Sequence, residues 1–113
     1  MNFSLEIGPN TEIETIPLVS DVYITMLPGG DYKETAQKAI ELVEKGFNPV
    51  PHFPARSLQN EKELKDYVSR CKDGGVKQAL IIDGGREPMG KYDSSFQLLE
   101  TGELEQAKIG LAA

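Results

Sequence analysis

Residues 60–82 read NEKELKDYVSRCKDGGVKQALII, and this stretch decides the fold. Asn60 is a helix-capping residue, with Glu61 and Glu63 behind it in the first turn. Leu64, Tyr67, Val68 and Cys71 recur at the three-four spacing of one buried helix face. Gly74-Gly75 then closes the helix, and the apolar run Ala79 to Ile82 follows without a break in the pattern. A capped amphipathic helix running through a glycine turn into a short Ile/Leu run is half of a βαβ unit.

The same phrase stands immediately upstream. Asp31-Tyr32-Lys33-Glu34 has capping-box spacing with Asp as the cap. Ala36, Ala39, Ile40 and Val43 share one face, and Gly46 stands where the helix stops. The apolar run Phe47 to Phe53 follows. Two further runs, Phe3 to Ile7 and Val22 to Leu27, precede these units, and Ile109 to Ala113 comes last. The runs are short and largely without alternation, the pattern of strands buried on both faces of a parallel sheet. A third helix is expected from about Ser94 to Glu100, with Gly102 after it, and a short helix or ordered loop between Pro9 and Ser20. Strand, helix, strand in this succession predicts right-handed crossovers and an α/β fold with a parallel sheet. Residues 1–113 read as one domain without a linker or low-complexity segment.

Composition narrows the function classes. The chain has 113 residues and a net charge of −6. It lacks the excess of cations that drives counterion release on nucleic acid or attraction to an anionic membrane. No apolar run approaches the roughly 20 residues of a membrane span, and Met1 to Glu6 shows no secretory pattern. A cytoplasmic protein is expected, with neither nucleic acid nor membrane as partner. One His and one Cys leave no metal-ligand spacing and no internal disulfide. Cys71, on an apolar helix face, reads as a buried structural thiol.

Four apolar runs carry a polar residue near their end: Glu6, Thr25, His52 and Asp83. In parallel α/β folds the carboxyl ends of the strands share one edge, and ligands bind there. Four such groups in four consecutive units point to one pocket. Each also has a plainer reading: a solvated Glu, a β-branched strand residue, a satisfied structural histidine, and a turn-forming Asp before Gly84-Gly85. Gly29-Gly30 and Gly84-Gly85 follow strands without the spacing of a nucleotide-binding fingerprint. Arg56 and Arg86 are the cations near the expected pocket mouth.

The succession Ser4-Leu5-Glu6-Ile7-Gly8-Pro9, Val22-Tyr23-Ile24-Thr25, Pro51-His52-Phe53 and Leu80-Ile81-Ile82-Asp83-Gly84-Gly85 resembles the methylenetetrahydrofolate reductase family. Pro51 to Arg56 and Tyr92 to Gly102 look like a divergent bacterial, reductase-like branch, and the resemblance runs from Phe3 to Ala113. It implies a (β/α)8 barrel that binds FAD and reduces a methylene-bridged folate with electrons from a nicotinamide donor. It places Glu6 as the general acid on the folate. Thr25 and His52 become flavin contacts, and Asp83, Gly84 and Gly85 fall on the fourth-strand segment of the cofactor site. Tyr92, Asp93 and Ser94 match the flavin-contacting stretch beyond it. Two departures stand out. The family's Arg-Gly-Asp is replaced here by Asp83-Gly84-Gly85, and a full barrel takes about 250 residues. The chain therefore reads as about half of a barrel, four units and a fifth strand, truncated and inactive alone. It is expected to form a homo-oligomer or to need a missing C-terminal half. Two other function classes remain open: a non-redox folate- or pterin-binding module, and a self-associating structural half-barrel without ligand.

Overall fold

A computed structural model describes residues 4–15, 21–26, 31–55, 58, 60–82 and 101–111. Five parallel strands form one open sheet in the order β1-β2-β3-β4-β5: β1 (Ser4–Ile7), β2 (Asp21–Ile24), β3 (Asn48–Pro54), β4 (Gln78–Ile82) and β5 (Gly110–Leu111). Helix α1 (Tyr32–Glu44) joins β2 to β3, and α2 (Glu61–Asp73) joins β3 to β4. A four-residue helix α3 (Glu103–Gln106) precedes β5, and a 3-10 turn (Ile13–Thr15) falls between β1 and β2. Among the described residues no helix is long and apolar enough to cross a membrane. The expected helix from Ser94 to Glu100 lies outside the described residues.

Both long helices begin at the expected caps, by different geometries. Asn60 Oδ1 accepts from the Glu63 backbone N–H at 2.9 Å, closing a full first turn. Asp31 Oδ1 instead accepts from Lys33 N–H at 2.9 Å, one residue earlier than a capping box requires. Gly46 and Gly75 adopt φ of +88° and +89°, the left-handed turn that reverses the chain into β3 and β4.

Alternation of side chains sorts the sheet into two faces. Ile7, Val22, Ile24, Met26, Phe53, Ala55 and Ala79 turn to one face. There they form a single apolar core with Ala36, Ala39 and Leu42 of α1 and Leu64, Tyr67, Val68 and Cys71 of α2. The residues between them, Glu6, Tyr23, Val50, His52 and Leu80, lie on the other face and take no part in that core. Burial on both faces, expected for every strand, is realised in β3, where all residues from Pro49 to Pro54 are buried. In β2 buried and half-buried positions alternate, because the described helices cover one side of the sheet.

Strand β3 carries three prolines in the middle of the sheet, a position where a missing N–H normally breaks the ladder. Successive N–H groups of a strand point to opposite edges, so Pro49 and Pro51 remove donors from one edge only. The register shows the consequence. β2 pairs with Asn48 to Pro51, whereas β4 pairs with His52 to Pro54, beyond those two prolines. At the lower end a side chain spans the gap: Asn48 Nδ2 donates to Asp21 Oδ1 at 2.7 Å and to Gln78 Oε1 at 3.0 Å, linking β2, β3 and β4.

The candidate functional site

Three of the residues singled out in the sequence are described, and all three belong to the sheet region away from the helices. Glu6, on β1, is exposed and is the direct register partner of Tyr23 on β2. Thr25 and His52 each stand one residue past the paired Ile24 and Pro51, which sets them side by side across β2 and β3. His52 in turn pairs with Leu80 of β4. Glu6, Tyr23, Thr25 and His52 thus form a contiguous row of polar and aromatic groups across three strands, toward the carboxyl ends. Asp83, Gly84, Gly85, Tyr92, Asp93 and Ser94 lie outside the described residues, as do Arg56 and Arg86.

The hydrogen bonds fix what each group has left to offer. Thr25 Oγ1 donates to the Ile7 carbonyl at 3.1 Å, beside the backbone bond from Thr25 N to the same oxygen at 2.8 Å. With its proton spent in this way, the hydroxyl meets a ligand as an acceptor. His52 is 7% exposed, and its Nε2 is buried without a hydrogen-bond partner among the described residues. An orphaned buried ring nitrogen is uncommon, because it forfeits its hydration for nothing in return. Burial holds the imidazole below its ordinary 6.5, outweighing the upward pull of the nearby Glu6 carboxylate. His52 is therefore neutral at neutral pH, able to donate or accept one hydrogen bond at Nε2 according to tautomer.

The opposite face holds His52 from behind. Tyr67 of α2, fully buried, donates its hydroxyl to the His52 carbonyl at 2.7 Å. Its ring stacks on Phe53 with centroids 3.9 Å apart and planes 12° from parallel. On the site's own face Tyr23 meets the imidazole edge-on, at 6.4 Å and 70°. Sequence reading passed over Tyr23, although it lies two residues before Thr25 and so shares its face by strand periodicity.

The same residues test the fit of a flavin. A planar ring with N–H and carbonyl groups on its edge can use an acceptor hydroxyl and an unpartnered imidazole nitrogen, so Thr25 and His52 fit the polar edge of an isoalloxazine. Among the described residues no group of three or more His, Cys, Asp or Glu side chains could hold an ion. Cys71 is fully buried, and burial pushes its thiol up to about 12. It stays protonated and belongs to the core, as its helix face suggests. The chain matches no protein-family model.

Proposed function

We propose that the chain is the N-terminal half of a (β/α)8 barrel of the methylenetetrahydrofolate reductase type, a flavin-dependent oxidoreductase of one-carbon metabolism. One observation carries this reading. The strands run in unbroken sequence order with the described helices packed on one face, while Glu6, Thr25 and His52 share the other. A doubly wound sheet reverses its strand order and places helices on both faces. A barrel keeps sequence order and turns the helix-free face inward. The side chains on that face would then line the barrel interior, and the row from Glu6 to His52 would sit near its mouth.

In this reading Thr25 and His52 hold the ring edge of FAD, which when bound supplies the two-electron transfer to the folate. Glu6 does the acid work. From β1 its carboxyl delivers a proton to a bridge nitrogen of the folate. The C–N bond to that nitrogen breaks, leaving the iminium carbon ready to be reduced. Neutral His52 accepts or donates a hydrogen bond without placing a positive charge that would draw the proton off Glu6. The closed barrel would exclude water from this face and strengthen each of these contacts.

A second reading is favoured by the acceptor character of the row. Thr25 and Glu6 both present acceptors, and the chain carries a net charge of −6. That combination suits the N–H-rich edge of a pterin better than the pyrophosphate of a dinucleotide, and describes a binding module without redox chemistry.

An absorbance spectrum of the purified chain, taken before and after excess FAD and desalting, tests the first reading. Retained bands near about 375 and about 450 nm, the usual positions for bound flavin, support it. A protein that stays colourless but quenches on titration with folate overturns it in favour of the second. Absence of both favours the third class, a self-associating structural half-barrel without ligand.

A further inference from the structure

We propose that Tyr23 is a positioning residue of this site, its ring fixing the imidazole of His52 so that Nε2 is held for a ligand. For its functional meaning the inference rests on the ligand site proposed above; for its structural content it does not. Among the described residues His52 has no hydrogen-bond partner at Nε2. A histidine usually keeps its orientation through a partner at one nitrogen. Against the imidazole stands the Tyr23 ring, at 6.4 Å and 70°, an edge-on arrangement with directional preference. Tyr23 is only half-buried and is the direct register neighbour of Glu6. It therefore forms the wall between the exposed carboxylate and the buried imidazole, and it shields His52 from water.

Among the described residues, the titratable groups that approach His52 are Glu6 from β1, Tyr23 from β2 and, through the backbone carbonyl, Tyr67 from α2. From β4 the register neighbour is the apolar Leu80. Removing the Tyr23 ring should free the imidazole to turn and let water reach it. The hydroxyl matters less, so phenylalanine should suffice in its place.

His52 is the sole histidine of the chain, so its Cε1–H resonance can be followed without assignment from about pH 4 to about pH 8, across the histidine range. Tyr23→Phe is expected to keep the wild-type chemical shift and midpoint. Tyr23→Leu, which retains apolar bulk, is expected to lose the ring-current displacement and to move the midpoint up toward 6.5. In parallel, FAD and folate titrations of the same proteins should weaken about two- to tenfold for Tyr23→Leu and not for Tyr23→Phe, the size of one aromatic pair. An imidazole resonance and midpoint unchanged in a folded Tyr23→Leu protein would overturn the proposal. Wild-type protein that binds neither FAD nor folate, with the His52 shift still dependent on the Tyr23 ring, upholds the positioning role and removes the ligand reading alone.

Discussion

The phenol of Tyr67 donates to the backbone carbonyl of His52 across 2.7 Å, a polar tie from the helix layer to the strand that carries the candidate site. Tyr67 is fully buried, so water cannot replace the bond if it is lost. Tyr67→Phe keeps the stacking on Phe53 and deletes only the hydroxyl. Urea unfolding of this variant should show a loss of about 1–2 kcal/mol at unchanged slope, the cost of a buried acceptor left unpaired. A variant as stable as wild type would mean that the carbonyl finds another partner and that α2 does not brace the strand.

The buried imidazole makes stability depend on pH in a defined direction. Burial lowers the folded-state pKa of His52 below the 6.5 of an ordinary histidine, so between those two values the unfolded chain binds the additional proton. Stability is therefore full above about 6.5 and falls as the pH drops toward the folded-state value. A second acid loss begins lower. Asp66 is held below its ordinary 3.8 by hydrogen bonds from the Tyr32 hydroxyl and then Arg70, at 2.6 and 2.8 Å. Its contribution is lost only as the pH falls below about 3.8. Thermal unfolding followed against pH should show the upper step in wild type, and His52→Gln should flatten it while leaving the lower one. An upper step that survives in His52→Gln would assign it to another group.

Much of this architecture is legible in the residues themselves. Asn60 and Asp31 announce their helices through side-chain oxygens that reach backbone N–H groups within two or three residues, and such local geometry is written in sequence. Glu6, Thr25 and His52 could be placed at one sheet edge because parallel strands in sequence order bring equivalent positions together. Long-range polar pairing was not legible. Asp21, Asn48 and Gln78 begin three separate strands, and nothing local says that one amide will bridge the other two side chains. The short helix α3 was not legible either: Gly102, with φ of +71°, precedes a helix of four residues in which Leu104 alone is buried. Four residues are too few to show a period.

Thr35 breaks a rule of the core. It is fully buried in the first turn of α1, and its Oγ1 has no hydrogen-bond partner among the described residues. Valine has nearly the same shape and a similar helix propensity, and it carries no hydroxyl to desolvate. Thr35→Val should stabilise the protein by about 1 kcal/mol, raising Tm by about 4 °C for a domain of this size. Calorimetry decides it. A lower Tm would show that the hydroxyl is bonded in solution, and would point to a ligand or a water at that position.

The two glycines after α2 act by different physics, and their substitutions separate the two. Gly75 has φ of +89°, so a side chain there is strained by the backbone itself. Gly74 has φ of −82°, which any residue adopts. Its lack of a Cβ matters because an added methyl would overlap Cγ1 of Ile40 on α1 and crowd its Cβ at 3.2 Å. α1 and the end of α2 therefore approach as closely as they do only over a glycine. Gly74→Ala should cost about 1–3 kcal/mol, the usual penalty for overpacking. The double variant Gly74→Ala, Ile40→Val should recover part of the loss, since it removes the Cδ1 methyl and shortens the crowded side chain. Gly75→Ala should cost about 1 kcal/mol, with no recovery from the Ile40 change. Urea unfolding of wild type, Ile40→Val, the two single glycine variants and their two combinations with Ile40→Val closes two double-mutant cycles. Coupling at Gly74 and none at Gly75 is the expected pattern, and equal coupling at both would show that the α1–α2 approach is not set by Gly74.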